Sequence, residues 1–157
     1  MAEKYLVTGG AGFIGSHITE ELLRRNKKVR VFDNLSTGFM ANLKPFLRRI
    51  EFVKGDLRNL SAVKRAVKGI EGIFHLAAIR AVARSVDNPL ETNDVNVTGM
   101  LNLLQAARDA RVRRIVYSSS SSVYGESKKF PLEEGDKPGP VSPYAATKIM
   151  GEYYCRI

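Results

Sequence analysis

A single cysteine, Cys155, stands in the 157 residues. No disulfide can close within the chain, and such usage suits a reducing, cytoplasmic compartment. No apolar run approaches the roughly 20 residues of a membrane span. The opening MAEKYLVTGG enters a strand-like segment without the apolar core of a signal peptide. There is no internal repeat and no linker, and the length predicts one domain. Only two histidines occur, His17 and His75. Neither has a metal-ligating or triad partner at a useful spacing, so both are assigned to packing and no metal is expected. Acidic residues are the scarcer charge, 16 against 25 basic ones, for a net charge of +9. A nucleic-acid surface would gather the cations on one element with aromatics between them. Here they lie scattered in short groups, RRNKK at 24–28, RR at 48–49, KR at 64–65, RVRR at 111–114 and KK at 128–129. Most of these fall where helices are expected to end, which favours cations. The excess therefore reads as solvated faces rather than a nucleic-acid interface, with a positive field that would also draw in polyphosphate ligands.

What is present is a core's worth of apolar residues, 44% of the chain, arranged in alternating patterns. Five β-rich segments recur: KYLVT (4–8), KKVRVFD (27–33), IEFVKGD (50–56), GIFHLAA (72–78) and RRIVYSSS (113–120). Several are near-continuous apolar runs, as strands buried on both faces require. Helical patterns lie between several of them. Ile14, Ile18 and Leu22 share a face. Val63, Ala66 and Val67 form a shorter stripe, with Ser61 as N-cap and Gly69 as stop. A long helix is expected from Pro89 to Arg111, with Val97, Met100, Leu101, Leu104 and Ala107 on one face. Val95, Leu103, Ala106 and Ala110 add a second stripe, so that helix is expected to cover the sheet and also to meet a partner. Alternating strands and helices predict an α/β, doubly wound parallel sheet in the order 3-2-1-4-5, with ligands beyond the carboxyl ends of the strands.

Those ends carry the chemistry. The first runs into TGGAGFIGSH, where Gly9, Gly12 and Gly15 are three apart at a strand-to-helix turn. This is the pattern of a dinucleotide pyrophosphate turn, in which the backbone must approach phosphate and the helix N-terminus supplies free amides. Asp33 ends the second strand, where a carboxylate can accept both ribose hydroxyls and would repel a 2′-phosphate, so NAD is favoured over NADP. The following NLSTG (34–38) has no arginine to reverse that preference. Asp56, ending VKGD, could meet an adenine amino group or could serve as a turn or N-cap aspartate.

Two stretches near the end complete the pattern. In RIVYSSSSSVYG (114–125), five serines follow a strand-like segment and could be a linker or the wall of a site. In SPYAATK (142–148), Ser142 and Pro143 read as N-cap and N1. Tyr144 and Lys148 are then i, i+4 on one helix face. A nearby ammonium favours phenolate over a phenol whose free pKa is about 10.

With TGGAGFIGSH, DNLSTG, GDLRN, HLAA, SSVYG and YAATK in this order, the chain resembles the extended short-chain dehydrogenase/reductase family, and within it the NAD-dependent nucleotide-sugar 4-epimerases. The resemblance implies a Rossmann-like NAD-binding domain over residues 1–157. Gly9, Gly12, Phe13, Ile14 and Gly15 would then lie at the pyrophosphate, and Asp33 and Asn34 at the ribose. Asp56 and Leu57 would meet the adenine, and Leu76, Ala77 and Ala78 would pass beneath the cofactor. Asn96 would lie near the active site with the cofactor residues, and Arg80 would replace a lysine found in some members. Ser120, Tyr144 and Lys148 would be catalytic, with Tyr144 and Lys148 also touching NAD and Ser120, Ser121 and Tyr144 the sugar. Dehydratases of this kind place an Asp-Glu pair where this chain has Ser121 and Ser122, so 4-epimerisation of a UDP-sugar is implied and 4,6-dehydration is not. UDP-glucose, UDP-N-acetylglucosamine and UDP-glucuronate all remain open as substrates. Members commonly extend further, so the domain is expected to be C-terminally incomplete, truncated before the last strands and the substrate domain. A stand-alone NAD-binding module is the alternative. The resemblance also implies a homodimer through the 89–111 and 143–157 helices.

Overall fold

The computed structural model describes residues 3–157. Five strands, β1 (Lys4–Thr8), β2 (Lys28–Asp33), β3 (Ile50–Lys54), β4 (Gly72–His75) and β5 (Arg114–Tyr117), pair in parallel in the order β3-β2-β1-β4-β5. This is the order read from the sequence. The helices are α1 (Phe13–Arg24), α2 (Leu60–Val67), α3 (Val82–Asp87), α4 (Pro89–Asn93), α5 (Gly99–Asp109) and α6 (Pro143–Arg156).

Register divides the strand residues between two faces, because successive side chains point to opposite sides. Leu6, Phe32 and Ile73 bury one face against Val63, Ala66 and Val67 of α2 and Leu103, Ala106 and Ala107 of α5. Val7, Val29 and Val31 bury the other against Leu22 and Leu23 of α1, with Leu43 and Phe46 from the 3-10 turns that precede β3. Beyond β4 this second face is thinly covered, and Val116 on β5 is exposed.

The strands stop short of several expected ends. Gly55–Asp56, residues 76–78 and residues 118–120 all leave the sheet, and these are the segments that fold over its carboxyl edge. Three local expectations are corrected. Ile14 does not join the buried stripe of α1, because its side chain points into the space above the sheet edge, 57% exposed. The cap of α2 is Asn59, whose side chain accepts from the Ala62 amide (3.0 Å), and Ser61 lies inside the helix. The helix from Pro89 is not uniform: α4 and α5 are joined by a π-helical turn, Asp94–Thr98. An unforeseen short helix, α3, precedes it.

Part of the basic excess is internal. Arg30, 9% exposed, reaches from β2 to the end of α2, where its Nη1 donates to the Ala66 and Lys68 carbonyls (2.5 and 3.0 Å). A helix end leaves such carbonyls without intrahelical partners. This guanidinium acts as their cap, with its Nε 2.9 Å from Glu51.

Candidate active site

The carboxyl ends of all five strands open on a cleft of about 480 Å³. A shallower depression of about 540 Å³ lies at the opposite end of β1–β3, lined by five cations. Two of these are already paired, Lys4 with Glu51 and Lys27 with Glu3. Only the first space gathers the glycine turn, the strand-end carboxylates and the YxxxK pair.

The glycine turn is held from below. The Gly9 amide donates to Phe32 O (2.9 Å) and the Gly12 amide to Gly9 O (3.1 Å). Gly9 has φ +68°, a conformation open to glycine, and a Cβ there would lie 2.7 Å from the Ala77 amide nitrogen. Gly12 caps α1 without a side-chain hydrogen bond, which leaves first-turn amides to the cleft. Phe13 and Ile14 form an exposed apolar lip there.

Asp33 is 7% exposed and fixed by two backbone amides: Oδ2 accepts from Ala11 N (2.9 Å) and Oδ1 from Leu35 N (2.7 Å). One lone-pair site on each oxygen is left over. Asp56 differs. Its Oδ1 accepts from Arg58 N and Nε, and its Oδ2 from Arg58 Nη2 and Asn34 Nδ2, all within 2.9 Å. Hydrogen bonds from Arg58 hold this carboxyl far below the usual range. Its four acceptor sites are engaged, so an adenine amine would have to displace a donor. Leu57, buried in the core, lines the same wall.

The floor is residues 76–78, where the Leu76 and Ala77 amides approach Thr8 Oγ1 (3.3 and 3.4 Å). Asn96 lies behind this floor, 4% exposed. Its amide brackets Ile79, accepting from the backbone N (2.8 Å) and donating to the carbonyl (3.0 Å), and also donates to Thr147 Oγ1 (3.0 Å). It holds the floor to α6 and does not line the cleft. Arg80 is exposed on the rim.

The serines divide by position. Ser118 and Ser119 line the cleft. Ser118 gives its carbonyl to Lys148 Nζ (2.8 Å), and Ser119 Oγ donates to Glu152 Oε1 (2.5 Å). Ser120 caps a 3-10 turn over Ser121–Tyr124, accepting from Ser122 N (3.2 Å), and does not itself line the cleft. Ser121 is exposed on that turn.

On α6, Ser142 caps as expected, accepting from Ala145 N (3.1 Å). The Tyr144 amide donates to Ser85 Oγ (3.0 Å), and Ser85 itself, fully buried, donates to Val82 O (2.6 Å). Ser85 thus anchors the helix start from a segment 59 residues earlier. Its short α3 carries little periodicity, so no sequence signal marked it. Lys148 is 4% exposed, with Nζ 5.9 Å from the Tyr144 ring centre. Burial pushes its ammonium down to about 8.

His75 serves packing, as its isolation in the sequence implied. It is buried, with Nδ1 2.7 Å from Thr8 Oγ1. Burial, assisted by the Lys148 charge, pushes its pKa down to about 3. An unfolded histidine titrates near 6.5. The unfolded state therefore binds the extra proton between these values, and stability falls as pH drops through that window. Urea unfolding at pH 7 and pH 5 is expected to show a loss of about 2 kcal/mol, before most carboxylates titrate. His75→Asn, which keeps a polar atom toward Thr8, is expected to be nearly flat over the same range. An equal slope in both proteins would exclude His75 as the source.

Residues 5–157 match the family described as the NAD dependent epimerase/dehydratase family. The UDP-glucose 4-epimerase of Lactobacillus helveticus is 42% identical over 151 residues, 95% of this chain and 45% of that protein. The chain spans about half the length of the curated relatives it first matches. The crystal structure of Thermus thermophilus UDP-glucose 4-epimerase complexed with NAD superposes with a TM-score of 0.90 at 43% identity, covering 96% of this chain and 49% of that one. A UDP-N-acetylglucosamine 4-epimerase from Methanobrevibacter ruminantium, complexed with UDP-N-acetylmuramic acid, gives 0.91 at 40% identity, covering 99% and 50%.

Proposed function

The chain belongs to the NAD dependent epimerase/dehydratase family, and from that premise we propose that it binds NAD and carries the proton-handling residues of a UDP-sugar 4-epimerase. One observation carries the reading: a single cleft holds the glycine turn and Asp33 together with Tyr144 and Lys148. The cleft suits the dinucleotide. A side chain at Gly9 or Gly15 would collide with backbone, first-turn amides of α1 are free for a pyrophosphate, and Asp33 retains an acceptor on each oxygen for ribose hydroxyls. Phe13, Ile14 and Gly15 would flank the phosphates, Asn34 and Leu57 the adenosine, and Ala77 and Ala78 the face beneath.

Held by the glycine turn and Asp33, the dinucleotide would supply a reversible hydride acceptor for C4 of the sugar. The chain's own part is acid–base work. Tyr144 Oη, held as phenolate by the Lys148 ammonium, accepts the proton of the 4-hydroxyl and becomes the neutral phenol. Ser120, which opens the 3-10 turn next to the cleft-lining Ser118 and Ser119, would have to turn its Oγ into the cleft to donate a hydrogen bond to the same sugar oxygen, and Ser121 would flank the sugar. With serines at 121 and 122 there is no carboxyl pair to expel a C6 hydroxyl, which supports epimerisation over dehydration. Arg80 stands on the rim, where a cation would attract the sugar nucleotide's phosphates. The single cysteine supports a cytoplasmic setting. The proposal includes a second copy of the chain meeting the 89–111 and 143–157 helices, supported by the exposure of Leu101, Met150 and Tyr153. Monomer mass alone by light scattering would remove that part.

The test is calorimetry with NAD⁺ and NADP⁺, followed by incubation with UDP-glucose, UDP-N-acetylglucosamine and UDP-glucuronate and assay of C4 epimers. NADP⁺ is expected to bind roughly 100-fold more weakly, since its phosphate meets a fixed carboxylate and forfeits charge-assisted hydrogen bonds. Equal affinities would contradict the role given to Asp33. NAD binding without turnover would favour a second reading, an NAD-binding module that needs further residues to hold the sugar.

A further inference from the structure

We infer that Tyr117 positions Lys148, its ring forming the fixed face against which the buried ammonium is held. The inference takes Lys148 to be a working residue of the cleft, as proposed above.

Lys148 is an unusual cation. Among the described residues no carboxylate lies within ion-pair distance of it, and its one recorded hydrogen bond goes to the Ser118 carbonyl. An ammonium removed from water with a single neutral acceptor is costly to keep charged. The compensation comes from the Tyr117 ring, whose centre lies 4.9 Å from Nζ. The electron-rich face of an aromatic ring attracts a cation most strongly when both are desolvated. Two N–H groups of the ammonium are then left for the cleft.

The ring is clamped. His75 and Tyr117 are direct neighbours in register on β4 and β5, and their rings stack with centres 5.6 Å apart and planes 27° apart. On α6, Gly151 leaves the ring its room: a Cβ there would lie 2.5 Å from Tyr117 Cζ and 2.8 Å from Cε1. The helix backbone therefore rests on the ring within one turn of Lys148. The tyrosine hydroxyl contributes little, since Oη is 3.5 Å from the Lys148 carbonyl. Burial also pushes its pKa well up, so it stays a neutral phenol. The other titratable groups around the Tyr117–Lys148 pair are His75 on β4 and Tyr144, Glu152 and Cys155 on α6. Glu152 is turned to Ser119 and, more distantly, to Arg156.

The experiment follows the Lys148 side chain by isotope-edited NMR in the full chain, without cofactor, and reads its pKa. Tyr117→Phe is expected to leave that pKa within about 0.3 units of wild type. Tyr117→Leu is expected to lower it by about 0.5 to 1.5 units, the cation–π attraction converted at the usual free energy per pKa unit. If Tyr117→Leu does not fold, pentafluorophenylalanine at 117 keeps the shape, reverses the charge distribution of the ring face and is expected to lower the pKa as well. An unchanged or raised pKa in the Leu or fluorinated protein would overturn the inference, reducing the ring to a space-filler. A Phe variant that behaved like Leu would overturn it too, by giving the role to the hydroxyl. NAD affinity of wild type, measured in parallel, tests the functional reading separately. Absent binding would sink that reading whatever the Lys148 titration shows.

Discussion

A Gly15→Ala variant is expected to destabilise the chain by about 3 kcal/mol or more and to lose NAD binding. The reason lies in what a methyl group would meet. Its carbon would press on Gly9 O, closer than any real contact, and would lie 2.7 Å from Gly10 Cα. Both are backbone atoms of the same tight turn, so no rotamer change relieves the overlap. Either α1 must move off β1 or the turn must open, and both displace the amides offered to a pyrophosphate. Gly12→Ala is the informative contrast. Its Cβ would meet only Gly9 O, at 3.2 Å, and the residue's backbone is extended, φ −78° and ψ 173°, which any residue adopts. That variant is expected to fold with a loss of about 1 kcal/mol or less while binding NAD poorly, because the methyl group stands where phosphate must approach. Urea unfolding and calorimetry on both proteins separate the two effects. A Gly15→Ala protein that folded within 1 kcal/mol of wild type and bound NAD would show that the turn is less constrained than its contacts imply.

Tyr144→Phe is expected to reduce turnover on a UDP-sugar by roughly a thousandfold with NAD affinity nearly unchanged. The substitution removes one oxygen and leaves the rest. The ring stays 8% exposed in its packing, the backbone amide keeps Ser85 as its acceptor, and Ser142 still caps the helix. What is lost is the atom proposed to take the 4-hydroxyl proton. Lys148→Met is the companion, expected to lower both turnover and cofactor affinity because the ammonium would serve the phenolate and the ribose together. Turnover is read as C4 epimer formed by whichever form of the protein is active, and binding by calorimetry. A Tyr144→Phe protein of near-normal turnover would move the base to another residue.

The sheet was legible because its strands are buried on both faces and so read as short apolar runs bounded by polar ends. The glycine turn and Asp33 were legible because a backbone approach to phosphate restricts residue type at fixed spacing. Ser142 and Pro143 announced α6 for the same kind of local reason. Other parts depended on partners distant in the chain. Nothing near Ser85 indicates that its hydroxyl will meet the Tyr144 amide, and nothing near Tyr117 indicates Gly151 or Lys148. Asn59 took the cap expected of Ser61 because both residue types serve, and sequence alone does not choose between neighbours two apart. Ile14 fitted an apolar stripe but belongs to the lip of the cleft, since the first turn of α1 projects past the sheet it packs on.

The π-helical turn between α4 and α5 bears on how the long helix tolerates change in length. Thr92, Asn96 and Met100, all buried, are spaced by four, and an ordinary helix of 3.6 residues per turn would drift by about 40° at each such step. The wider turn at Asp94–Thr98 absorbs the drift. The segment before it packs against α3 and α6, and the segment after it against α2. The two halves are clocked to different partners by one extra residue. Removing a single residue there would restore an ordinary pitch and leave Leu103 and Ala106 at nearly their present azimuth relative to Thr92, since the wider turn already absorbs about one residue's rotation. A one-residue deletion in this stretch is therefore nearly neutral in azimuth, whereas the same deletion within α5 would turn the residues beyond it by about 100° and unseat the core beneath the sheet.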